Sequence, residues 1–189
     1  LSADDSPTDA ELVARALSSD DAAFALLMAR HKQWVHLFIR RYVGSSQDES
    51  YDLLQETFFA AWQALARYQP ALPFGAWLRS IALNKCRDRS RRNKVRRFLL
   101  GSTGPDTELP EVVDLAPGPE VLASDAQRAQ LLAAALRALP RGLKEPLLLT
   151  TLEGLSHQAA GELLGISAKA VEMRVYRARA QLARLAGIR

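Results

Sequence analysis

Near the carboxy end of the chain, "SAKAVEMRVYRARAQL" (residues 167 to 182) places Lys169, Met173, Tyr176 and Arg177 on one side of a helix, with Arg174 on the flank. At about 100° per residue, Val171, Val175, Ala178 and Leu182 fall together on the other side as an apolar stripe. Cationic side chains bond phosphates and guanine edges, and a helix of this kind fits the DNA major groove. A solvated charged face is the plainer reading of any basic helix. Two features decide against it. Ser156 and Ser167 each precede a helical run and can cap it, and Gly165 marks the turn between the runs, which together give a DNA-binding helix-turn-helix.

A second set of residues suits unpaired bases. In "FGAWLRSIALNKCRDRSRR", Leu78, Ala82 and Cys86 form an inward stripe, while Trp77, Ser80, Asn84, Asp88 and Arg91 project on another face. Tryptophan stacks on a base, asparagine bonds a base edge and arginines follow phosphates, a combination fitted to single-stranded nucleic acid. The pattern equally allows Trp77 in the core of a solvated basic helix. A third set lies one helix earlier, where Leu54, Phe58, Ala61 and Leu65 form the core stripe and Asp52, Gln55, Glu56, Phe59 and Gln63 cluster opposite. Periodicity leaves open whether Phe59 is exposed or packs beneath a neighbouring helix.

Charge is distributed to match. Between Arg79 and Arg97 nine basic residues stand against the single acid Asp88, which suits a polyanion. Residues 101 to 125 carry six acids, no lysine or arginine, and the stretch "LAPGPEV". That composition has no face to pack and reads as a flexible acidic linker between two domains, residues 1–100 and 126–189.

The elements that must hold these faces are all helical. Thr8 and Glu11 form a capping box, and Ser19 or Asp20 caps a helix running to Val43, where Gly44 stops it. A third helix spans about Glu49 to Tyr68, "YQPALPFG" breaks the pattern, and a fourth runs from Phe74 toward Phe98. No strand pattern is visible, so the fold class is all-α, two small helical domains.

Several function classes are excluded or disfavoured. The histidines His31, His36 and His157 are not at ligand spacing, no phosphate-cradling glycine loop is present, and the acids are not paired on a catalytic face. The reading is therefore a non-enzyme without metal or cofactor. Cys86, the only cysteine, excludes an internal disulfide. No apolar run approaches a membrane span and the amino terminus lacks a secretory pattern, which places the chain in the cytoplasm.

The stretch "DLLQETFFAAWQALARYQPALPFGAWLRSIALNKCRDRSRR" resembles the second region of the extracytoplasmic-function (ECF) sigma factors of bacterial RNA polymerase, and "LLLTTLEGLSHQAAGELLGISAKAVEMRVYRARAQL" resembles their fourth. "PFGAWLRSIALNKCRD", "RRFLLG" and "KAVE" are most similar to the branch of cobalt and nickel resistance regulators. The resemblance implies a region 2 helical bundle and a region 4 helix-turn-helix. It implies that Asp52, Gln55, Glu56, Phe59 and Trp62 bind the clamp helices of the polymerase's largest subunit, with region 4 near the flap. Tyr68, Phe74, Trp77, Ser80, Asn84, Arg87 and Arg91 would then contact the melted minus-ten element. Ser167, Lys169, Glu172, Met173, Arg174 and Arg177 would contact the double-stranded minus-thirty-five element. An anti-sigma factor is the implied regulator, and the linker would thread toward the RNA exit path, where nascent transcript displaces it.

Departures from the family pattern fall at Glu172 and Met173, where relatives often carry a basic residue then serine, and at Arg79 and Ser80. Gly161 stands where alanine is common, which predicts a looser helix, and Pro146 is expected near a helix start. Two rivals need less of the chain. A stand-alone helix-turn-helix repressor or activator would need only residues from about Leu139 onward, and a single-strand or RNA-binding protein only the first domain.

Overall fold

A computed structural model describes residues 6–44, 46–70, 72–99 and 119–186. Among them lie eight α-helices and one 3₁₀ turn, with no strand. Helix α1 (Asp9–Leu17) opens on the Thr8 and Glu11 capping box. Asp20 accepts the Ala23 amide and caps α2 (Asp21–Val43), which closes on left-handed Gly44. Ser46 caps α3 (Gln47–Ala64), and the 3₁₀ turn Leu65–Arg67 follows. The third helix thus begins two residues before Glu49 and tightens before Tyr68, where the chain turns extended ahead of Pro70 and Pro73. Helix α4 spans Phe74–Leu99.

Helices α1, α3 and α4 pack around α2. Leu27, Val35, Phe38 and Ile39 meet Leu53, Leu54, Phe58 and Ala61 from α3 and Leu78, Ala82 and Cys86 from α4, all buried. Burial of Cys86 raises its thiol pKa and leaves it a small apolar core residue.

The second group comprises α5 (Pro119–Ala138), α6 (Arg141–Thr151), α7 (His157–Leu164) and α8 (Ala168–Leu185). Residues 119 to 125, expected as linker, are helical: α5 starts at Pro119, whose missing N–H costs nothing at a first helical position. The rest of that expected acidic segment, with Asp106, Glu108, Glu111 and Asp114, lies outside the described residues. Pro146 is inside α6, a full turn past its start at Arg141, rather than near it. The side chain is buried, and the Thr150 hydroxyl donates to the Pro146 carbonyl. Ser156 and Ser167 accept the Ala159 and Ala170 amides, capping α7 and α8 as their positions require. At Gly161 the turn closes so tightly that an added Cβ would stand 2.6 Å from the Ile166 carbonyl oxygen. Glycine there lets the turn seat against α7, so the helix is close-packed and not looser.

Candidate nucleic-acid and partner interfaces

On α3 the expected core stripe is buried and its opposite face open. Asp52, Gln55 and Gln63 are exposed, and Phe59 is 63 % exposed. Trp62, 39 % exposed, leans on Phe24 of α2 with ring centroids 4.8 Å apart. Together with Asp21, Met28, Gln55 and Phe58 these rings line an open apolar groove of about 430 Å³ between α2 and α3. Asp21, Phe24 and Met28 were not visible as site residues in the sequence. They lie on a different helix, and only the crossing of α2 and α3 adds them. Glu56 behaves differently, turning toward α4, where Arg89 reaches it at 3.3 Å and Lys85 at 3.9 Å.

The corner between α3 and α4 gathers aromatics. Tyr68, Phe74 and Trp77 meet pairwise, edge-on or tilted, with centroids 5.3 to 5.9 Å apart. Tyr68 and Phe74 are buried, and the Tyr68 hydroxyl donates to the Leu72 carbonyl. Trp77 is half-buried and packs against the core. One portion of the indole supports the corner and another reaches the surface. Ser80 spends its hydroxyl on the Trp77 carbonyl at 2.6 Å, inside its own helix. Asn84 is exposed, and Arg91 is exposed in a surface pair with Asp88 that contributes little. Arg87 is elsewhere engaged: its guanidinium grips the carboxylate of Glu145, in α6, at 2.9 and 2.7 Å.

Along α8, Val171, Val175 and Ala178 are buried and Leu182 packs partly against them. Lys169, Glu172, Met173, Tyr176 and Arg177 are exposed, and Arg174 is half-buried. Lys169 and Glu172 pair at 2.9 Å, which holds the Glu172 carboxyl below its ordinary range. Ser167 serves first as the cap of this helix.

No set of three or more metal-ligating side chains occurs among the described residues, and no helix among them is long and apolar enough to cross a membrane. Among the described residues one group of helices carries an apolar groove and a basic aromatic corner, and the other a serine-capped basic helix.

Comparison with known proteins carries this to the family. Residues 27–96 match the family model for sigma-70 region 2, and residues 129–182 match that for sigma-70 region 4. The chain is 40 % identical to RNA polymerase sigma factor CnrH of Cupriavidus metallidurans over 183 residues, 95 % of each chain. It is 39 % identical to sigma factor NccH of Alcaligenes xylosoxydans xylosoxydans, over 96 % of each. The solved structure of CnrH in complex with the cytosolic domain of CnrY superimposes with a TM-score of 0.66 at 33 % identity, covering 94 % of this chain and 96 % of that one. The chain belongs to the sigma-70 family, in its ECF group.

Proposed function

We propose that this ECF sigma factor binds core RNA polymerase through the α2 and α3 groove, opens the minus-ten element with the α3 and α4 corner, and reads the minus-thirty-five element with α8. The observation that carries the reading is the pairing, on one chain, of an exposed Phe59 beside an apolar groove with a serine-capped basic helix over 100 residues away. A stand-alone DNA reader has no use for the groove.

Asp52, Gln55, Phe59 and Trp62 form the polymerase contact, with Glu56 braced from behind by Arg89 and Lys85. Trp77 and Asn84 touch the unpaired strand, Tyr68 and Phe74 shape its pocket from beneath, and Arg91 follows phosphate. Extruding a base costs a few kcal/mol of stacking, which a preformed aromatic corner offsets without ATP. Lys169, Arg174 and Arg177 hold the duplex, while Glu172 and Met173 read bases. An anti-sigma factor covering the groove keeps the protein inactive. CnrH, solved with the cytosolic domain of CnrY, supports that expectation. A division into two domains with the second beginning at α5, the action of the acidic segment against nascent RNA, the absence of enzymatic activity and a cytoplasmic site of action belong to the same reading.

Run-off transcription with purified core polymerase on a genomic fragment library tests it, comparing wild type with Phe59→Ala and Trp77→Ala. Discrete transcripts that require the added protein and weaken in both variants establish the function. No transcripts, with tight duplex binding in the absence of polymerase, would instead indicate a repressor or activator.

A further inference from the structure

The start of α8 carries two opposite charges side by side. Lys169 Nζ stands 2.9 Å from a carboxylate oxygen of Glu172, with side chains 73 % and 50 % exposed. Ser167 caps the helix just before them, so both project from the end that meets base edges in a helix-turn-helix. The hydrogen bond and charge of Lys169, with a smaller contribution from His157 at the start of α7, hold the Glu172 carboxyl below its ordinary range. It is therefore ionised at neutral pH and can only accept.

A surface pair of this kind contributes little to stability. What it offers is a pattern: a donor beside an acceptor, together neutral, so the carboxylate does not repel phosphate as an isolated one would. The ammonium has hydrogens and the carboxylate lone pairs to spare, so each can bond a base without breaking the pair.

The major-groove edge of a G·C pair is the complement. Guanine O6 accepts, cytosine N4 donates, and their own hydrogen bond sets them about 2.9 Å apart, matching the separation of Lys169 and Glu172. The neighbouring groups decide against the similar edge of T·A. Guanine N7 flanks O6 and offers the ammonium a second acceptor, whereas thymine puts its methyl beside O4. Cytosine has a C–H beside N4 on this edge, whereas adenine has the N7 lone pair beside N6, which repels a carboxylate.

We propose that Lys169 and Glu172 act as one unit reading a single G·C pair of the minus-thirty-five duplex, Lys169 on guanine O6 and N7 and Glu172 on cytosine N4. The inference rests on α8 being the duplex-reading helix, as proposed above. It makes Glu172, a departure from the family pattern, a determinant of which promoters this chain selects.

Selection from randomised minus-thirty-five duplexes, by the full chain with core polymerase and by the full chain alone, tests it, with circular dichroism as a check of folding. Wild type should favour G·C at one position roughly tenfold over the other pairs. The exchanged variant Lys169→Glu, Glu172→Lys keeps the ion pair and the net charge, and should reverse that position to C·G while leaving the others as they were. Glu172→Ala should reduce the preference to within about twofold, and the double variant Lys169→Ala, Glu172→Ala should lose no more of it, because the two act together. Glu172→Ala decides the matter if the exchanged variant loses helicity. A base profile unchanged in the exchanged variant or in Glu172→Ala, or a selected element with no G·C pair that responds to them, would overturn the inference and leave the sigma reading standing. A wild type that selects no sequence under either condition would overturn both.

Discussion

Phe24 of α2 and Trp62 of α3 meet at 4.8 Å with their rings inclined by 60°, so the wall of the exposed groove is also part of the seam between the two helices. Phe59, one turn earlier, is 63 % exposed and contributes little to that seam. Truncating the two rings should therefore separate binding from stability. Phe59→Ala should leave the melting free energy within about 0.5 kcal/mol of wild type and weaken core polymerase at least tenfold. Trp62→Ala should weaken polymerase similarly and also cost about 1–2 kcal/mol of stability, because its indole is partly buried. Urea melts beside a competition assay for core polymerase make the comparison.

Trp77 and Asn84 differ in the same manner at the other end of the domain. Trp77→Ala removes one member of a three-ring cluster and should cost about 2 kcal/mol along with the loss of promoter opening. Asn84 is exposed and shares only a 3.3 Å hydrogen bond with Arg87. Asn84→Ala should leave stability unchanged and weaken single-stranded minus-ten DNA about fivefold, in line with one lost hydrogen bond. Anisotropy with single-stranded promoter oligonucleotides separates the two.

On α8 the prediction concerns salt. Arg177 is exposed, so Arg177→Ala should weaken all duplexes alike and reduce the slope of log affinity against log salt by about one. Met173→Ala should instead change the preferred base at one position of the minus-thirty-five element while preserving the slope. Titrations of randomised duplexes at several salt concentrations distinguish phosphate contact from base reading.

Ser167 earns its place first as a cap. The Ala170 amide donates to its hydroxyl at 3.1 Å, and Ser167→Ala should cost about 1 kcal/mol, lowering the thermal midpoint by several degrees. Ser167→Asp should restore the midpoint but still weaken duplex binding, because a carboxylate would face the phosphates.

Lys144 gives a pH dependence. Burial, with help from the charges of Lys94 and Arg137, lowers its pKa to about 8. The unfolded chain holds that proton up to about pH 10.4, so between these values it binds more protons than the native state and stability attributable to Lys144 rises with pH. Cys86 acts oppositely, since burial keeps its thiol protonated in the fold. The difference between wild type and Lys144→Met cancels that contribution: the variant's advantage should be largest below pH 8 and shrink toward pH 10 in urea melts.

Local periodicity and end chemistry were enough to read most of this protein from its sequence. Thr8, Asp20, Ser156 and Ser167 cap where their side chains can reach free amides, and the stripes on α3, α4 and α8 are buried where the helical repeat places them. Those features depend on neighbours within about four residues, so the sequence determines them directly. What it could not supply was the company each face keeps. Phe24 and Met28 join the groove because α2 crosses α3, and Gly161 is required by a carbonyl that the turn brings back to it. Arg87 and Arg79 read as ordinary members of a basic run. Their partners Glu145 and Glu153 stand 58 and 74 residues away, on a domain whose docking no periodicity encodes. Helical spacing fixes which side of a helix a residue occupies; only the packing of one helix on another decides what charge or ring it meets there.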